Sequence, residues 1–185
     1  MNYLLASLLW IASVNEPRYL SGLFFELGFS SQVDVNSSIV VYDIYREQHY
    51  LKRPFTKEQI DFAARKSYKI SEKILRSMGK DHNDCRSYIN LHIYEITRGS
   101  LNRTDIGPWK VEMGLNDKEF FGLYDPTTWI RGESCLMVGD NAPYPMGTLV
   151  HEFSHYWYDR WCLTDSIGMD TESFAYKAEY IYVNE

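Results

Sequence analysis

The sequence predicts an α+β domain, a small mixed sheet packed on a backing helix and on a second helix that carries a His-Glu-x-x-His pattern. Three groups of residues carry that reading. Residues 38–45 and 87–96 are rich in β-branched and aromatic side chains, and 87–96 alternates with the period of a half-buried strand. Residues 56–78 open on Thr56-x-x-Gln59, a capping-box pattern, and then place Ile60, Ala63, Ala64, Ile70, Ile74, Leu75 and Met78 at helical spacing up to Gly79, a natural stop. Residues 147–158 read as a second helix. Leu149, Val150, Phe153, Trp157 and Trp161 surround its two histidines with apolar side chains, as the floor of a cleft requires.

The remaining elements follow in chain order. Residues 1–15 hold an apolar run too short to span a membrane as a helix. It reads in two ways. As the h-region of a signal peptide ending near Asn15-Glu16-Pro17 it implies export, secreted or periplasmic; as a buried N-terminal helix it implies a cytoplasmic protein. No Lys or Arg precedes the run, and its small-x-small cleavage pattern is poor. Residues 16–185 form one domain, because no repeat, charge run or low-complexity linker divides them. Between 18 and 34, apolar clusters are broken by Gly22 and Gly28, and residues 46–54 make a polar connection. The Lys and Arg residues of the 56–78 helix form a solvated face. Beyond a loop-rich stretch at 97–116, residues 118–124 and 127–131 read as strands about an Asp125-Pro126 turn, and 134–138 as a third strand. Pro143 and Pro145 stiffen the approach to the second helix, and Gly168 is the hinge on which 159–169 turns the chain back.

His151 and His155, spaced i and i+4 on a helix, present both imidazoles on one face. Two neutral nitrogens converging on one point suit Zn2+. Glu152 then has a carboxylate placed to take a proton from a water on the metal and return it to a leaving amine. That is the chemistry of metal-assisted amide hydrolysis. A catalytic site needs a third protein ligand, and the helical segment capped by Asp170 or Thr171 offers Glu172, with Ala175, Tyr176 and Glu179 on the same stripe. Tyr176 is the candidate donor to a tetrahedral intermediate, with Tyr144, Tyr156 and Tyr158 equally near in sequence. Glu179 and Asp170 are candidates to orient a ligand histidine from behind. Cys162, just beyond the helix, is a worse-placed ligand than Glu172. Cys85, Cys135 and Cys162 are widely spaced and read either as one disulfide plus a thiol or as three thiols. His92, on a strand, reads as structural, and His49 and His82, in polar loops, are poorer ligand candidates still.

These residues carry a resemblance. His151-Glu152-Phe153-Ser154-His155, followed by Glu172 in a Glu-Ser-Phe-Ala setting, resembles the gluzincin branch of the zincin metallopeptidases. The Glu-x-Phe-Ala piece is similar to the second zinc motif of the gluzincin aminopeptidases. The resemblance covers only the C-terminal part of the chain, from the first motif onward. It implies a zincin-like fold in minimal single-domain form, with zinc held by His151, His155 and Glu172 and with Glu152 as general base. It also implies a protein or peptide substrate held by strand addition along an edge strand, for which 134–138 is the expected edge. No Gly-x-Met-Glu-Asn element of the kind that holds a free amine in those aminopeptidases is present, so the expected activity is that of an endopeptidase.

Composition narrows the classes further. The 185 residues carry a formal charge of −6 and no stretch alternates basic with aromatic residues, which argues against a nucleic-acid surface. The 15 Tyr are spread along the whole chain, which favours core boundaries over a binding strip. Two other classes share these residues: a zincin-like metal-containing binding or regulatory protein without turnover, and a zinc hydrolase of a non-peptide amide. Glu152 favours an enzyme, because a structural metal site needs the His pair but no general base.

Overall fold

The computed structural model describes residues 25–47, 54–85, 90–96, 121–125, 133–139 and 142–185. In chain order these form β1 (Phe25–Val35), β2 (Ser38–Glu47), α1 (Lys57–Ser77), β3 (Asn90–Ile96), β4 (Gly122–Asp125), β5 (Glu133–Gly139), α2 (Pro145–Arg160) and α3 (Thr171–Asn184). The architecture is mixed α+β. The sheet runs β1-β2-β3-β5-β4, with β2, β3 and β5 parallel and the two outer strands, β1 and β4, antiparallel to their neighbours.

Lateral order overturns one expectation. Residues 134–138 belong to β5, which lies inside the sheet between β3 and β4; among the described residues the edge on that side is β4. Composition marks a strand but says nothing about which neighbours it takes. The same placement corrects the half-buried reading of 87–96. Leu91, His92, Ile93, Tyr94 and Glu95 are all buried, as expected for a strand flanked by two parallel neighbours and covered on both faces. Residue 125, expected in a turn, is the last residue of β4.

At the other edge, β1 was not legible as a strand. Asn36, at φ 51°, and Ser37 make the short turn into β2, and Val33 and Val35 point inward beside Val40, Tyr42 and Ile44. Gly28, which reads as a break, sits where the register slips between Leu27 and Phe29, a bulge rather than an end. The expectations for residues 1–15, 97–116 and 127–131, and that for His49, lie outside the described residues. Among the described residues no helix is long and apolar enough to cross a membrane.

Helix α1 follows its sequence closely. Thr56 Oγ1 accepts from Gln59 N, and the Gln59 side chain accepts from Thr56 N, the complete capping box. At the far end Gly79, at φ 68°, lets Lys80 N reach Leu75 O and its own N–H reach Arg76 O, closing a Schellman motif. The inner stripe, Ile60, Ala63, Ala64, Ile74 and Leu75, is fully buried in the core it shares with the sheet and α2. Part of the basic face is engaged: Lys66 and Lys73 pair with Glu185, and Arg76 pairs with Glu72.

Helix α2 is the central element, with 13 of its 16 residues buried, so its polar side chains are surrounded by protein rather than by water. Pro145 takes the first helical position, where its missing N–H costs nothing. Trp157 Nε1 donates to Ala64 O and Ser67 Oγ, joining α2 to α1. Arg160 donates to Asp84 Oδ2, to Ile39 O and to the Tyr156 hydroxyl. The helix ends without glycine: Cys162 takes the left-handed position at φ 50°, while Cys162 N reaches Asp159 O and Leu163 N reaches Tyr158 O. Cys162 is there because it forms a disulfide with Cys85. That bond removes it as a metal ligand, and Cys135 is buried in β5.

Candidate metal centre

The site is built where α2 meets α3. One helical turn separates His151 from His155, and their Nε2 atoms lie 3.2 Å apart. The chain after α2 turns through Gly168, at φ 66°, and is tied down by the Tyr158 hydroxyl, which donates to Met169 O at 2.7 Å. Asp170 then caps α3, accepting from Ser173 N and Ser173 Oγ. This brings Glu172, in the first turn of α3, back onto the histidine pair. Its Oε2 is 3.6 Å from His151 Nε2 and its Oε1 is 3.5 Å from His155 Nε2.

Those three donors fit one small cation. A tetrahedron with arms of about 2.0–2.1 Å, the usual zinc distances to nitrogen and oxygen, has edges of about 3.3–3.4 Å. The two Nε2 atoms are 3.2 Å apart and each faces its own oxygen of Glu172, Oε2 at 3.6 Å from His151 and Oε1 at 3.5 Å from His155, so the carboxylate straddles the pair; one ligand atom from each of the three residues lies within 4.8 Å of the others. The far sides of both rings are occupied. His151 Nδ1 faces Glu179 Oε2 at 3.1 Å, and His155 Nδ1 faces Thr171 Oγ1 at 2.7 Å. With each Nδ1 held by an oxygen behind it, both Nε2 atoms are turned toward Glu172. Two nitrogen lone pairs and a carboxylate at this spacing repel one another unless a positive charge sits among them.

The charge balance gives the same result. Burial opposes a charge on His151, but the carboxylates of Glu172 and Glu179 more than reverse this and push its pKa up to about 10. Burial, together with the charge on His151, pushes His155 down to about 4. The His151 hydrogen bond holds Glu172 below the usual carboxylate range. A proton on His151 thus occupies the place that a metal cation would take.

Glu152 lies against β4 where the strand passes Gly122. Burial pushes its carboxyl up to about 8, and its Oε2 is buried with no hydrogen-bond partner among the described residues. A buried carboxyl oxygen without a donor beside a candidate cation site is suited to taking a proton from water. Tyr124 of β4 adds a wall, its ring parallel to that of His155 at 6.2 Å between centroids.

The predicted residues therefore meet, with one correction behind the two histidines. Asp170 does not orient a histidine, because its carboxylate is committed to the helix cap; Thr171, the next residue, takes that position on His155. Glu179 does take it on His151. The tyrosines separate as well. Tyr176 packs edge-on against the His151 ring at 4.7 Å and is 63 % exposed, whereas the hydroxyls of Tyr156 and Tyr158 are engaged with Arg160 and Met169. Tyr144 stands exposed at the N-cap of α2. His92 lies in the sheet beside Tyr45 and Asp43, and His82 stacks on Trp161 at 3.9 Å, both outside the cluster. Thr171 and Tyr124 were missed by sequence reasoning, since a lone Thr beside a cap and a lone Tyr in a short strand carry no spacing signal. No protein-family model matches the chain, and no curated protein matches it either.

Proposed function

We propose that this protein is a zinc-dependent endopeptidase of gluzincin type on a zincin-like α+β scaffold. His151, His155 and Glu172 hold the metal, and Glu152 acts as general base. The observation that carries the reading is the convergence of His151, His155 and Glu172, one ligand atom of each within 4.8 Å of the others, beside a buried Glu152 oxygen that has no hydrogen-bond partner among the described residues. Zinc, when bound, supplies a Lewis acid that polarises a carbonyl and makes a nearby water acidic. The chain's own residues do the rest. Glu179 and Thr171 hold the two imidazoles in the orientation that directs Nε2 inward. Glu152 takes the proton of the attacking water and delivers it to the departing amine nitrogen. Tyr176, exposed and one turn beyond Glu172, is the donor available to the developing oxyanion. Edge strand β4 has one side paired to β5 and takes an extended peptide on the other by strand addition.

The test is zinc content by elemental analysis alongside casein digestion for wild type, Glu172→Ala and Glu152→Gln. The expected result is one zinc per chain in wild type, lost in Glu172→Ala but retained in an inactive Glu152→Gln. A wild type that cannot be loaded with zinc removes the proposal. Zinc without turnover of any peptide or amide leaves the metal-containing binding protein.

A further inference from the structure

We propose that Gly122 is a positioning residue for Glu152: β4 crosses α2 so closely that only a residue without a side chain leaves the base its seat. The inference rests on the reading of Glu152 as general base. A Cβ built on Gly122 lies 2.5 Å from Glu152 Oε1, 2.8 Å from Glu152 Cγ and 2.9 Å from Thr148 Cγ2. Ordinary carbon contacts are about 3.5–4.0 Å, so an added methyl group has no room.

The surroundings leave little slack on either side. Thr148 and Glu152 are one helical turn apart on a buried helix and form a single ledge beneath the strand. Above it, Gly122 is paired with Val138 of β5, and Gly139 N donates to Phe121 O at 2.7 Å. Conformational freedom does not explain the glycine. Among the described residues the glycines at positive φ are Gly79 and Gly168, so Gly122 has a backbone that any residue adopts. Glycine inside a strand weakens it, and close approach of another group is one reason to find it there. Gly147 of α2 makes the contrast. The atoms nearest to a Cβ at that position are 3.5–3.6 Å away, ordinary contact.

The consequence is a mechanical link. The strand proposed to take an extended peptide is also the surface against which the Glu152 carboxyl is pressed. A side chain at position 122 would push Glu152 from its place without touching His151, His155 or Glu172.

The experiment is a thermal double-mutant cycle on the zinc-loaded protein, with zinc content and peptide turnover measured on the same samples. Gly122→Ala is expected to lower Tm by about 4 °C or more in the wild-type background. In the Glu152→Ala background, where the colliding Cγ and carboxylate are gone, the same change is expected to cost less than half as much. Gly147→Ala serves as the control that fits without loss of Tm. Gly122→Ala should keep one zinc per chain while kcat falls by about tenfold or more and KM moves less, the pattern of a misplaced catalytic group. Equal Tm losses in the two backgrounds, or an unchanged kcat, overturn the positioning role. Should Gly122→Ala alone not fold, a folded Gly122→Ala/Glu152→Ala protein supports the role and an unfolded one overturns it. If wild type binds zinc but turns over no peptide, the peptidase reading fails, and the thermal cycle still decides whether Gly122 seats Glu152.

Discussion

The proton on His151 makes the proposed metal centre sensitive to pH. With its pKa near 10, His151 carries a proton at pH 7 in the metal-free protein, whereas His155, near 4, does not. A metal that binds His151 Nε2 must displace that proton. Apparent zinc affinity is therefore expected to rise by about tenfold per pH unit from pH 7 toward 10. Calorimetry in two buffers of different ionisation enthalpy should return at least one proton released per zinc at pH 7; release of none would mean that His151 carries no proton there before the metal binds. The groups behind the ligands give a second prediction. Glu179→Ala and Thr171→Val each remove the oxygen that holds an imidazole, so each should weaken zinc binding by about 10–100-fold in a chelator competition. Unchanged affinity in both would show that the far sides of the rings do not matter. Of these residues, Glu172 and Glu179 were legible in sequence because helical periodicity puts them on one stripe. Thr171 was not, because which of two adjacent residues caps α3 and which turns toward His155 depends on the angle at which α3 approaches α2.

At the scale of the element, α2 needs an anchor because it is buried almost throughout and ends in a cation. The Arg160 side chain is 3 % exposed, and Asp84 is the carboxylate that neutralises it. Asp84 also accepts from Ser38 Oγ and Trp161 Nε1, so one side chain joins β2, the segment after α1 and the end of α2. Breaking such a pair from one side leaves a buried charge uncompensated and costs about 3–5 kcal/mol. Asp84→Ala should accordingly lower Tm by about 10 °C in thermal unfolding followed by circular dichroism. A loss within about 2 °C would mean that water reaches Arg160 and replaces the carboxylate. The elements themselves were legible where their signals are local. The capping box of α1, its glycine stop and the proline at the start of α2 all act within one turn of chain. The end of α2 was not: Cys162 stands in a left-handed position that usually belongs to glycine, and its reason to be there is Cys85, 77 residues away.

Across the whole molecule that disulfide links the segment after α1 to the end of the helix that carries His151 and His155. Closing a loop of this length restricts the unfolded chain by an amount worth about 4–5 kcal/mol in the chain-entropy account. Reduction, or the Cys85→Ser/Cys162→Ser pair, should therefore lower Tm substantially. Buried Cys135 is not needed for the bond, so Cys135→Ala should leave the response to reductant intact. A Tm indifferent to reductant would show that the two thiols are unpaired in solution. Sheet order belongs to this scale too. Residues 134–138 and 118–124 were both readable as strands, but that β5 sits inside and β4 outside follows from β3 taking β5 as its parallel neighbour.

By itself the sequence determined whatever acts over one or two helical turns. His151 and His155 converge because 3.6 residues complete a turn, Glu152 adjoins them because it is the next residue, and Glu172 and Glu179 share a face for the same reason. Only the tertiary structure decided what approaches from elsewhere: the angle that brings Glu172 to within 3.6 Å of His151, the Thr171 hydroxyl behind His155, and the backbone of Gly122 against the base. Helical periodicity is a property of the backbone and shows in any local window. Distances between elements depend on the packing of the entire core, to which no single stretch of sequence is a guide.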